Sequence, residues 1–140
     1  MKLFLDTSAF AKRYIAEFGS AQVLQLCDQA SSVVVSVICL PELISTLSRL
    51  VREKRLSKRD YQRLKQQVLD ELADVDICQV TPEILALVVE LLESYPLRAM
   101  DAFHIAGAKA VDADIFVSAD HRQIMAAKGA GLNVVDVSTA

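Results

Sequence analysis

Short apolar runs of strand length alternate with amphipathic segments of helix length along this chain, and that alternation restricts its fold more than any other feature. Lys2–Leu5, Ser32–Ser36, Asp76–Val80, Ile115–Ser118 and Asn133–Val137 read as strands, because they are brief, apolar and mostly β-branched or aromatic. Thr7 to about Ile15 reads as a helix that Glu17-Phe18-Gly19-Ser20 breaks, and Ser20 is the candidate cap of the next helix. A longer helix is expected over Leu40–Lys54, with Pro41 tolerated in its first turn and Leu43, Ile44, Leu47 and Leu50 on its buried stripe. Ser57 would cap the following helix, which makes a helical hairpin over about residues 40–73. Thr81-Pro82-Glu83 opens another helix with Pro82 at its first position; Leu97–Val111 and His121–Lys128 complete the set. Strands separated throughout by helices imply a parallel sheet covered on both faces, so the class is α/β.

The chain has 140 residues, and we expect residues 1–140 to form one domain. A hydrophobic content of 53% against 24% charged residues excludes a disordered chain. No apolar run approaches the ~18–20 residues that span a bilayer, and Asp6 comes too soon after Met1 for a signal-peptide core. The expectation is a cytoplasmic protein with no membrane contact. Cys27, Cys39 and Cys78 are odd in number and sit among apolar residues, which favours buried thiols over a disulfide or zinc site.

A net charge of −3 gives no global sign of a nucleic-acid binder. The distribution differs: Arg49, Arg52, Lys54, Arg55, Lys58, Arg59, Arg63 and Lys65 are eight of the fifteen basic residues, with only Glu53 and Asp60 between them. This cluster is either a solvated helix face or a cationic arm for phosphates.

Acidic residues follow several of the apolar runs. Asp6 closes Leu3-Phe4-Leu5, Glu42 opens the helix after Val33-Val34-Val35, and Asp120 follows Ile115-Phe116-Val117. In an open parallel sheet, chemistry gathers outside the carboxyl ends of the strands, so these acids would converge on one small volume. Clustered carboxylates call for cations and point to phosphate chemistry. Asp6 and Asp120 fit equally well as helix caps. Asp101 lies in Ala99–Ala108, a segment apolar nearly all round, where a lone buried carboxylate is costly unless paired, protonated or metal-bound; it is also a cap if the helix starts there. Glu42 shares a helical face with Ser45, Thr46 and Arg49, so a polar flank accounts for it. His104 and His121 have no partner at zinc-ligand spacing, and the four glycines form no phosphate loop.

Phe4-Leu5-Asp6-Thr7-Ser8-Ala9, Pro41-Glu42-Leu43, Leu97–Ala106 and Phe116-Val117-Ser118-Ala119-Asp120, in that order and spacing, resemble the motifs of PIN-domain ribonucleases, specifically the VapC-like toxins of toxin–antitoxin pairs. Ser118 departs mildly from a family position that is often Thr and keeps the hydroxyl. The resemblance implies a three-layer α/β/α sandwich around a parallel sheet of about five strands. It implies an acidic pocket of Asp6, Glu42, Asp101 and Asp120, and so assigns Glu42 a role that its helical face alone did not. It also implies dependence on Mg²⁺ or Mn²⁺, endoribonuclease activity on RNA, a homodimer, and neutralisation by a small cognate antitoxin protein. On that basis Asp6, Asp101 and Asp120 would bind metal directly or through water. Glu42 would help to hold a metal or orient the attacking water, and Ser8 or Ser118 would hold water or phosphate beside them. Mutual repulsion should raise some of the carboxyl pKa values while no metal is bound. The competing readings are a non-catalytic α/β module that binds protein or RNA, and a metal-dependent DNA nuclease.

Overall fold

A computed structural model describes residues 1–138; the last two residues of the expected 1–140 domain lie outside them. In chain order the elements are β1 (Lys2–Leu5), α1 (Thr7–Ala11), α2 (Ser20–Gln29), β2 (Ser32–Ser36), α3 (Cys39–Arg52), α4 (Lys58–Leu72), β3 (Asp76–Cys78), α5 (Pro82–Ser94), α6 (Ala99–Ala110), β4 (Ile115–Ser118), α7 (His121–Gly129) and β5 (Val134–Asp136). All five strands pair in parallel in the order β3-β2-β1-β4-β5.

The sheet is buried from both sides because its strands alternate. Leu3, Leu5, Val35 and Val117 face one core with Phe10, Leu43, Leu47 and Val68 from α1, α3 and α4. Phe4, Val34 and Phe116 face the other with Ile84, Val88, Ile105 and Ala126 from α5, α6 and α7. Phe4 and Phe116 pair across neighbouring strands with ring centroids 6.1 Å apart. The expected three layers and five-stranded parallel sheet are therefore present.

Several boundaries differ from expectation for local reasons. α1 ends at Ala11; beyond it Lys12, Arg13 and Tyr14 each donate to the carbonyl three residues back, so the chain tightens instead of continuing the helix. Ser20 is not the cap of α2. Gly19 occupies that position at φ 87°, where a Cβ would lie 2.2 Å from the Val137 carbonyl oxygen, and Ser20 Oγ instead braces the loop by accepting from Glu17 N and donating to Ile15 O. The third strand stops at Cys78 rather than Val80, because Thr81 caps α5 immediately afterwards. α3 starts at Cys39 and ends at Arg52, with Lys54 turning at φ 59° into the loop before Ser57, which caps α4 as expected. α6 begins at Ala99, two residues later than read, and β5 is shorter by a residue at each end. The three cysteines are free; Cys39 is buried and its thiol is pushed up to about 12, chiefly by burial, whereas Cys27 and Cys78 are half-buried.

This topology determines where the site lies. Connections leave β1 toward β2 and return beside it at β4, so the chain reverses direction across the sheet between β1 and β4. In open α/β sheets the crevice at the carboxyl end of that reversal receives ligands. Asp6 and Asp120 follow β1 and β4 there.

Candidate active site: an acid-lined cleft above the sheet

A cleft of about 730 Å³ opens at the carboxyl end of the sheet, and Glu42, Asp101 and Asp120 line it together with Ser8, Arg49 and Arg98. Asp6 lies beneath this lining, 0% exposed. The chain thus brings the four predicted acids to one place from α3, α6 and the ends of β1 and β4.

Asp6 is gripped on both oxygens. Oδ1 accepts from Ala9 N (2.9 Å) and Ser8 Oγ (2.7 Å), and Oδ2 accepts from Ser118 Oγ at 2.5 Å. The direction of both hydroxyls is fixed by their other partners. Ser8 Oγ accepts from Ala119 N (2.9 Å) and Ser118 Oγ from Asp120 N (2.9 Å), so each turns its hydrogen toward Asp6. A carboxylate offers about four lone-pair sites, and three are taken, so one remains on Oδ2. Ser8 and Ser118, expected to hold water or phosphate, hold Asp6. Burial pushes the Asp6 carboxyl above its ordinary value, against the pull of the His104 charge and the hydrogen bonds from Ser118, Ser8 and Ala9. Asp6 also caps α1, so the cap and the site are one residue.

Asp101 is 5% exposed in the first turn of α6. Its Oδ2 accepts from Arg98 N at 3.2 Å, and its Oδ1 from Gln123 Nε2 at 3.2 Å. The Arg98 guanidinium lies 3.4 Å from Asp101 Oδ2 through Nε and 3.7 Å from Asp120 Oδ2 through Nη2. Asp120 caps α7 by accepting from Arg122 N at 2.9 Å. One cation is therefore shared between Asp101 and Asp120.

Glu42 is 30% exposed, and its Oε1 accepts from Thr7 Oγ1 (2.7 Å) and meets His104 Nε2 (2.5 Å). Burial would raise its carboxyl, but the hydrogen bond and charge of His104, the Thr7 hydroxyl and the Arg98 charge together hold it below the ordinary value. Carboxylate crowding was expected to raise pKa values here. Asp6 rises through burial instead, and Glu42 falls.

The acids surround the cleft rather than meeting in one cluster. Among the described residues, no three His, Cys, Asp or Glu side chains are placed to hold one metal ion in common. The reason is local: Asp6 is clamped by two serines, Asp101 and Asp120 by Arg98, and Glu42 by His104 and Thr7. Their donor chemistry still fits a hard divalent cation. All are carboxylate oxygens, and two of them already share a positive charge.

Sequence reasoning missed His104, Thr7, Arg98 and Gln123 as partners of these acids. Arg98 is the N-cap of α6, three residues before Asp101, and that spacing is the signal that could have found it; His104 meets Glu42 across 62 residues and carried none. Gln123 carried no such signal.

The family described as "PIN domain" matches residues 3–129 of the chain. No curated protein sequence matches it. Solved structures share the fold at low identity. FitAcB of Neisseria gonorrhoeae is 17% identical with a TM-score of 0.70, each chain covered to 99%. VapC20 of Mycobacterium tuberculosis, described as a Sarcin-Ricin loop cleaving toxin, is 19% identical with a TM-score of 0.70, covering 96% of this chain and 98% of its own. VapBC-1 of nontypeable Haemophilus influenzae is 14% identical with a TM-score of 0.72, covering 99% and 100%.

Proposed function

The chain belongs to the PIN-domain family, and from that premise we propose that it is a metal-dependent endoribonuclease that hydrolyses RNA phosphodiester bonds, acting as the toxin of a toxin–antitoxin pair. The observation that carries this reading is the single guanidinium shared by Asp101 and Asp120 at the mouth of a cleft that Glu42 also lines. A site that draws a cation between two carboxylates suits cation-assisted phosphate chemistry.

Asp101, Asp120 and Glu42 are the residues to hold Mg²⁺ or Mn²⁺, directly or through water, with Asp6 contributing through the lone pair left on Oδ2. When bound, the ion supplies positive charge against the phosphate and makes a bound water more acidic. Glu42 Oε2 makes no protein hydrogen bond among the described residues, so it is free to accept one from a water and aim it. Ser8 and Ser118 keep Asp6 fixed while this happens. Arg49 lines the cleft on the same helical face as Glu42, Ser45 and Thr46, and α3 then runs on to Arg52 and the basic turn. Arg55 and Arg63 pair with Glu53 and Asp60, whereas Arg52, Lys58 and Arg59 are exposed with no ion pair among the described residues. Those free cations suit the backbone of a single-stranded RNA leading to the cleft.

The VapBC likenesses support assembly with a cognate antitoxin, whereas the homodimer and the cytoplasmic location rest on the family resemblance alone; no helix among the described residues is long and apolar enough to cross a membrane. The non-catalytic reading draws on the absence of a common metal-holding group among the described residues, since every acid already has a protein partner. Purified protein freed of antitoxin, given RNA and DNA side by side with Mn²⁺, decides between them. RNA cleavage that a chelator stops supports the proposal. Cleavage of DNA alone changes the substrate, and no cleavage of either favours the binding module.

A further inference from the structure

His104 is 1% exposed in α6 and is surrounded on its own helix by Ala102, Phe103, Ile105 and Ala106. Burying an imidazole costs free energy unless its nitrogens are bonded. Here Nδ1 is buried without a partner, and the polar contacts of the ring are confined to Nε2, at 2.5 Å from Glu42 Oε1 and 3.3 Å from Thr7 Oγ1. A histidine kept for packing alone would be better replaced by an apolar side chain, which would leave nothing unpaired. What this one gains is Glu42.

The geometry at Glu42 is one-sided. Thr7 from α1 and His104 from α6 both converge on Oε1, while Oε2 has no hydrogen-bond partner among the described residues. Because a carboxylate only accepts, Nε2 carries the hydrogen in this contact. A free glutamate on a helix surface loses rotamer entropy when it is fixed in one conformation. The clamp imposes that ordering before any substrate arrives. It also ties Glu42 to the helix that carries Asp101, so two acids on different elements keep a fixed relation.

We propose that His104 is a positioning residue for hydrolysis, holding Glu42 by one oxygen so that the other faces the cleft. The proposal rests on the hydrolytic reading of the site, but its physical core is a coupling between His104 and Glu42 that is measurable without cleavage.

The test is a double-mutant cycle. His104→Leu removes the donor and keeps the burial, His104→Gln restores a donor that reaches Glu42, and His104→Asn keeps an amide too short to do so. Each is made alone and with Glu42→Ala. The readouts are kcat and KM on RNA, and Mn²⁺ affinity by calorimetry without RNA. Misplacing a reacting group by about 1 Å costs up to ~10²-fold, so His104→Leu should lower kcat by roughly 10- to 100-fold and leave KM nearly unchanged. It should also weaken Mn²⁺ binding; His104→Gln should recover most of both losses and His104→Asn should not. With Glu42→Ala present, the His104 variants should add no further loss. If His104→Leu does not fold, the contrast of Gln with Asn decides. Full activity in folded His104→Leu, equal behaviour of Gln and Asn, or a loss that persists without Glu42 overturns the proposal. If the wild type cleaves neither nucleic acid, the functional reading fails, while the Mn²⁺ cycle still reports the coupling: additive effects overturn it and non-additive ones support it.

Discussion

His104 Nε2 and Glu42 Oε1 meet 2.5 Å apart although 62 residues separate them in sequence. This contact joins α6 to α3 at the cleft and leaves Glu42 Oε2 with no protein partner among the described residues. Glu42, which its helical face alone explained as a polar flank, is thereby the most directly available carboxylate of the four.

Arg98 competes with any cation for Asp101 and Asp120, because its guanidinium stands between them. The Arg98 side chain is 70% exposed but that of Asp101 is only 7% exposed, so Arg98→Gln should cost some stability while Asp101 keeps its hydrogen bonds from Arg98 N and Gln123. It should also tighten Mn²⁺ binding in a calorimetric titration without RNA. Equal or weaker affinity would show that Arg98 does not occupy the cation's place.

Divalent metal should stabilise the fold by mass action. At 100 times Kd the gain is about 2.7 kcal/mol, which for a domain of this size raises Tm by several degrees. Thermal melts with and without Mn²⁺ should show that shift in the wild type and little of it in Asp101→Asn. A variant shift as large as the wild type's would remove Asp101 from the binding set.

Asp6 and Glu42 give opposite pH dependences in chelator. The Asp6 carboxyl is raised on folding, mainly by burial, so its stabilising contribution is complete below its unfolded value and disappears as pH climbs through the folded one. The Glu42 carboxyl is lowered, so its contribution is present above its unfolded value and fades as pH falls through the folded one. Relative to wild type, Asp6→Asn should therefore gain stability on moving from about pH 3 to pH 7, while Glu42→Gln should lose it. Denaturant melts at the two pH values measure both differences, and the same sign in both variants would contradict the assignment.

Charge on the hairpin should govern RNA affinity. Neutralising Arg52, Lys58 and Arg59 together, in an Asp101→Asn background that stops turnover, should weaken RNA binding and flatten its salt dependence. Each lost single-strand phosphate contact reduces the slope of log affinity against log salt by about 0.7. Anisotropy titrations over a salt series read this directly; an unchanged slope would return the cluster to a merely solvated face.

The fold was legible where local chemistry speaks for itself. Ser32–Ser36 and Ile115–Ser118 are strands within the residues expected, and Ser57 and Thr81 cap the helices they announce. Gly19 displaced Ser20 as a cap because Val137 approaches it from the far end of the chain, a contact that no local pattern reveals. Asp6, Asp101 and Asp120 could be placed from their positions after strands or within an apolar helix. Their partners could not, since Ser118 reaches Asp6 over 112 residues and His104 reaches Glu42 over 62. The expectation of one tight acidic cluster failed for the same reason: the intervening Arg98, the serine clamp and His104 act through tertiary contacts.

The central claim is that the acids of this cleft support cation-dependent RNA hydrolysis. The most direct measurement is the RNA cleavage rate of Asp101→Asn against wild type across a Mn²⁺ series, with metal-free melts showing both folded. The account predicts a loss of at least about 10²-fold at every Mn²⁺ concentration, the scale of removing electrostatic stabilisation from a transition state. A folded Asp101→Asn protein that cuts RNA at the wild-type rate would contradict it.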